Sequence, residues 1–142
     1  MNFYEMTQVM QPRYTAIVLT DDSRNELIKR FPVNSPWEVI AHHMTINMGS
    51  AEKGPAVAML GQTATMMAVE FGGDHKVIAV KVETNVPSSN SIKHITIAVN
   101  RSMGGKPFQS NQIATWTPLA QPISLEGKIF EVGQGDNVLP IK

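Results

Sequence analysis

Along most of the chain, apolar side chains come in short β-branched blocks divided by Gly, Pro, Asn and Asp, the pattern of strands and turns. Residues 13–20 (RYTAIVLT) form the first block and read as a buried strand, broken by Asp21 and Asp22. Ser23-x-x-Glu26 then has the form of a capping box, and Leu27, Ile28 and Phe31 lie on one helical face. A short helix is predicted over 24–31, ended by Pro32, and it is the only helix the pattern supports. After a turn at 33–36, a second strand is best defined at 42–48. Gly54, Pro55 and Gly61 argue against a long helix in 49–62. Residues 63–71 and 76–83 read as two strands joined at Gly72-Gly73-Asp74-His75, a hairpin signal. A loop at 87–91 leads to a strand at 93–99. The polar segment 101–112 reads as an exposed loop, and a last strand is expected at 123–132. The fold class is therefore α+β, rich in strands and poor in helices, with no linker dividing the single domain expected over 1–142.

Composition narrows the functional classes. With 42% apolar and 17% charged residues the chain is of the soluble globular type, and no apolar run is long enough to cross a bilayer. Residues 1–11 lack the basic and apolar regions of a signal peptide, so the expected location is cytoplasmic. Twelve basic and twelve acidic residues balance to zero, which favours a small substrate or a nucleic-acid end over a long duplex. Cysteine is absent, which excludes thiol nucleophiles, disulfides and thiolate metal sites.

One pattern recurs. His43-Met44-Thr45-Ile46 and His94-Ile95-Thr96-Ile97 share the order His-apolar-Thr-apolar, on predicted strands 51 residues apart. Residues i and i+2 of a strand face the same way, so each motif presents an imidazole and a hydroxyl on one face and two apolar groups on the other. Side by side, two such strands would gather two imidazoles and two hydroxyls around a small cavity. That set suits a phosphodiester: one ring accepts a proton from the attacking water or hydroxyl, and the other protonates the leaving oxygen. The hydroxyls can hold non-bridging phosphate oxygens. Histidine serves both tasks because its ordinary pKa, about 6.5, makes either protonation state accessible. The chemistry calls for no metal and no cofactor.

The two motifs resemble those of the 2H phosphoesterase superfamily, whose signature is a pair of His-apolar-Ser/Thr-apolar tetrapeptides. The longer stretches WEVIAHHMTINMG and SSNSIKHITIAVNRSMGGKPFQSNQI are most similar to the compact 2H-type domains that accompany RNA-repair ligases and kinases. The resemblance implies a bilobal α+β fold with a groove between the lobes, and action on 2′-linked or cyclic phosphodiesters of RNA ends or nucleotides. It makes His43 and His94 the catalytic pair and Thr45 and Thr96 the phosphate ligands. A 2′,3′-cyclic phosphate is the first-choice substrate. Phage proteins with the same motif pair degrade cyclic oligonucleotide defence signals, which gives one alternative; a non-catalytic module holding a nucleotide or RNA end gives another.

Further residues are weaker candidates. Asn90 and Ser91 enter the second motif strand and could contact ribose or base. Arg101 and Lys106 lie on the following loop, where Gly104-Gly105-Lys106 could offer amides and a cation to a phosphate. Trp37 and Trp116 could stack on a base, although a tryptophan in a domain of this size more often belongs to the core. His42 is expected to point away from His43 and to be structural. A metal set drawing on His42 or His43 with Asp74 and His75 is disfavoured because adjacent strand residues diverge.

Overall fold

The computed structural model describes residues 10–141. Among the described residues seven strands carry the fold: β1 (Tyr14–Leu19), β2 (Trp37–Val39), β3 (His43–Met48), β4 (Thr63–Gly73), β5 (Val77–Glu83), β6 (His94–Asn100) and β7 (Trp116–Val132). The only α-helix of more than one turn among the described residues, α1, is Asp21–Arg30. Six strands close into an antiparallel barrel in the order β6-β3-β1-β7-β4-β5, with β5 returning to β6; β2 continues the β3 side of β6. Alternation fixes what lies inside. Ile17, Met44, Ile46, Val80, Ile95, Ile97 and Ile129 are fully buried in one apolar cluster, to which β4 and β7 add Met66 and Leu125. Each such side chain contributes about 1.5–3 kcal/mol by leaving water.

Several predicted elements stand as read, including the hairpin of β4 and β5 and the absence of a long helix in 49–62, where only two short 3-10 turns occur. Others differ. The helix begins three residues before its predicted start, because Thr20 rather than Ser23 is the cap and accepts a hydrogen bond from the Ser23 N–H (3.2 Å). Asp21 and Asp22 then occupy the first turn, where they favour the helix dipole. The Ser23 hydroxyl instead accepts from the Glu126 N–H of β7 (2.8 Å), and Leu27 enters the core.

Strand β7 is 17 residues long, not the ten expected. Its first part pairs Pro118 with Glu70, its second pairs Ile123 with Ala68, and the surplus residues between, including Pro122, leave the ladder as a bulge. The segment after β6 is not a plain exposed loop. It folds into two 3-10 turns, Arg101–Met103 and Pro107–Gln112, and buries Gly105 and Ser110. No helix among the described residues is long and apolar enough to cross a membrane. Residues 1–9, on which the signal-peptide expectation chiefly rests, lie outside the described residues.

Candidate active site

The two motif strands are neighbours. Strands β3 and β6 run antiparallel with Met44 paired to Ile95, both inside the barrel. Their flanking residues therefore project from the outer face. Counting outward from that pair sets His43 across from Thr96 and Thr45 across from His94, with the two histidines on a diagonal. Diagonal neighbours in an unbroken sheet stand about 7–8 Å apart, and here a bulge begins on the His43 side of the pair. Their proximity also appears electrostatically, since a charge on His94 depresses the pKa of His43.

A bulge shapes the first motif. Between the Val39↔Ala98 and Met44↔Ile95 pairs, five residues advance on one side against three on the other. Ala41 absorbs the surplus at φ 40°, fully buried, with its N–H reaching both Thr96 O (3.0 Å) and Ile97 O (3.1 Å). Adjacent residues consequently do not diverge here. His42, expected to face away, lies edge-on to His43 with the two Nδ1 atoms 2.9 Å apart. Tyr14 of β1 stacks on the other side of His43, ring centroids 4.5 Å apart, with its oxygen 3.4 Å from Nδ1. The Tyr14 hydroxyl donates to the Asp136 carboxylate (2.7 Å). Burial, followed by the Asp136 bond, pushes the phenol pKa well above its usual range, so that proton stays in place.

His94 is 7% exposed and directs Nδ1 at the Ile92 carbonyl (2.8 Å), which accepts the Nδ1 proton and leaves Nε2 as the unpaired ring nitrogen. Burial lowers its pKa, and the carbonyl partly offsets this. His43 is pushed down to about 4, first by burial, then by His42, with Asp136 opposing and His94 adding to the fall. The Thr96 hydroxyl is buried against Ser110 Oγ (2.7 Å) and Pro107 O (3.3 Å), so it is tied to the turn Pro107–Gln112. Thr45 is half-buried, and its carbonyl accepts from Ser88 Oγ (2.8 Å). The Ser89 N–H bonds Ile46 O (2.7 Å), so the loop before β6 is laid along β3. That places half-buried Asn90 and exposed Ser91 on the margin of the histidine face.

The other sequence candidates hold different positions. Arg101 pairs with Glu38 (2.6 Å) and donates to Gly105 O (3.2 Å). It follows the C-terminal end of β6, seven residues and therefore about 23 Å from His94 along the strand. Trp37, paired to Asn100 at the same end, packs against the barrel core. Gly104-Gly105-Lys106 is not a phosphate cradle: the Gly105 N–H is spent on Asn100 O, and a side chain there would collide with the Lys76 carbonyl. Lys106 itself is exposed at the start of the turn Pro107–Gln112. Trp116 packs with Val77, Ala79, Val99 and Ile113 in a second apolar cluster, its indole N–H buried with no partner among the described residues. Asp74 accepts from the Lys76 and Val77 N–H groups and so shapes the hairpin turn. Among the described residues, no three His, Asp or Glu side chains gather as a metal-binding set.

Sequence reasoning missed Tyr14, Ser110, Asp136 and the turn of His42 toward His43. Only Tyr14 carried a signal, as the outward-facing end of a strand. A cavity of about 810 Å³ lies elsewhere, along Thr63–Met67 and Glu83–Val86. Glu83 is its one titratable lining group, so its size does not outweigh the chemistry of the paired histidines. No protein-family model matches the chain, and no curated protein matches it significantly.

Proposed function

We propose that this protein is a phosphodiesterase of the 2H type, opening cyclic phosphodiesters at RNA ends or in nucleotides, with a 2′,3′-cyclic phosphate as substrate. One observation carries the reading: two imidazoles and two threonines, set crosswise on one outward face by a single antiparallel pairing. The bilobal architecture of that superfamily is part of the proposal, with β3 and β6 as the strands at which the lobes meet.

His43, whose pKa of about 4 keeps it neutral, is the general base. Its Nε2 takes a proton as water attacks phosphorus in line. His94 is the general acid, because the Ile92 carbonyl favours its cation and an arriving phosphodiester anion favours it further. Its Nε2 proton passes to the ribose oxygen as the P–O bond to that oxygen breaks, and a phosphomonoester remains. Thr45 supplies a hydroxyl for one non-bridging oxygen, and Thr96 supplies a second by turning its O–H away from the Pro107 carbonyl.

The test is a panel of 2′,3′-cyclic nucleotides, capped RNA ends, linear 2′-5′ oligomers and cyclic di- and trinucleotides, assayed side by side in EDTA. Opening of the cyclic nucleotide is expected, with His43→Ala and His94→Ala each lowering the rate by at least about 100-fold while circular dichroism stays unchanged. Selective cleavage of cyclic oligonucleotides would move the substrate class to signalling molecules. Binding without turnover of any of them would make the protein a nucleotide-binding module, and loss of activity on chelation would require a metal.

A further inference from the structure

We infer that His42 and the Tyr14–Asp136 pair are positioning residues that hold His43 in its Nδ1–H tautomer and so turn a bare Nε2 toward the substrate. The inference rests on the phosphodiesterase reading only in taking Nε2 as the reacting atom. The tautomer itself follows from where the protons can go.

Tyr14 spends its single hydroxyl proton on Asp136, so its oxygen can only accept along the 3.4 Å line to His43 Nδ1. A bare Nδ1 on His43 would set lone pair against lone pair there. A proton on Nδ1 instead removes that repulsion and points at His42 Nδ1, 2.9 Å away. The His42 nitrogen must then be the acceptor, which places its own proton on Nε2. Two Nδ1–H groups cannot face each other at that distance, so the pair does not hold a proton on both nitrogens. His42 thereby does for His43 what the Ile92 carbonyl does for His94. Both catalytic rings are anchored through Nδ1 and present Nε2, one by a backbone oxygen and the other by a second imidazole. The charged groups whose fields reach this pair are Asp136, which favours its protonation, and His94 and Arg24, which oppose it.

The backbone supports the assignment. Without the bulge at Ala41, His42 and His43 would leave the strand on opposite faces. A buried non-glycine residue at positive φ is strained and persists only where its surroundings enforce it.

Long-range ¹H–¹⁵N correlation spectra of the full chain near pH 7.5 read the tautomers directly. Nδ1–H is expected for His43 and His94, and Nε2–H for His42. An Nε2–H signal for His43 overturns the inference. In kinetics with a 2′,3′-cyclic nucleotide, His42→Leu is expected to lower kcat by at least about tenfold with little change in KM, and to move the acidic limb of the pH profile. His42→Asn, whose amide oxygen can accept the same hydrogen bond, is expected to restore most of the rate and the profile. A His42→Leu protein with wild-type rate and profile also overturns the inference. Should that variant not fold, the wild-type and His42→Asn spectra decide. Expected tautomers in a protein that turns over no phosphodiester would keep the positioning role and sink the catalytic reading.

Discussion

Ala41 is the residue on which the geometry of His42 and His43 depends. It is fully buried at φ 40°, where a β-branched side chain is strongly disfavoured. Ala41→Val is therefore expected to cost about 1–3 kcal/mol, read from the midpoint of urea unfolding, and to lower turnover by moving His43. A second residue-scale expectation concerns pH. His43 has a pKa near 4 in the fold against an ordinary 6.5, so the unfolded chain takes up a proton first as pH falls. The stability that its neutral form supplies is complete above about 6.5 and is lost progressively as pH drops toward 4. His42 and His94 are shifted in the same direction. Urea midpoints measured from pH 7 to 4 should fall more steeply for the wild type than for His43→Gln; parallel slopes would contradict the assignment.

At the scale of elements, legibility depended on whether the signal was local. The β4–β5 turn was readable because Gly72-Gly73-Asp74 carries its own turn chemistry, and Asp74 does bond the backbone two and three residues on. The His-x-Thr strands were readable because alternation alone assigns their faces. The helix start was misread because Ser23 suits a cap equally well in isolation. Its hydroxyl is claimed by Glu126, 103 residues away, and Thr20 caps instead. Thr20→Ala should cost about 1 kcal/mol in thermal unfolding and leave kcat unchanged. The divergence of His42 from His43 predicted by alternation failed for the same reason: the bulge that brings them together is set by pairing with β6, which no local pattern records. The turn Pro107–Gln112 is held over Thr96 by the tight packing of Gly105 on Lys76 and Asn100. Gly105→Ala is expected to push that turn outward and weaken substrate binding, seen as a raised KM.

For the whole molecule, the strand inventory was largely visible and the order of strands was not. Nothing in the composition says that β5 returns to β6, yet that closure leaves β6 paired on both sides and holds its second motif rigid. Burial follows: barrel residues at zero exposure, Met44 and Ile95 among them, form the floor beneath the site, while the four motif side chains stand above it. Ile95→Ala removes part of that floor directly under the paired strands. It should cost about 2–5 kcal/mol and lower turnover more than an equally destabilising change at Ile129, on the strand beyond β1.

The crosswise pairing centred on Met44 and Ile95 has one more consequence. A half-turn about the midpoint of that pair exchanges His43 with His94 and Thr45 with Thr96. In the proposed reaction a five-coordinate phosphorus seated over it would find equivalent groups at both of its poles, so those four side chains alone give that reaction no polarity. Direction has to come from the unequal supports: an imidazole and a phenol behind one pole, a peptide oxygen behind the other. Exchanging those supports, rather than the histidines themselves, is what would reverse which ribose oxygen departs.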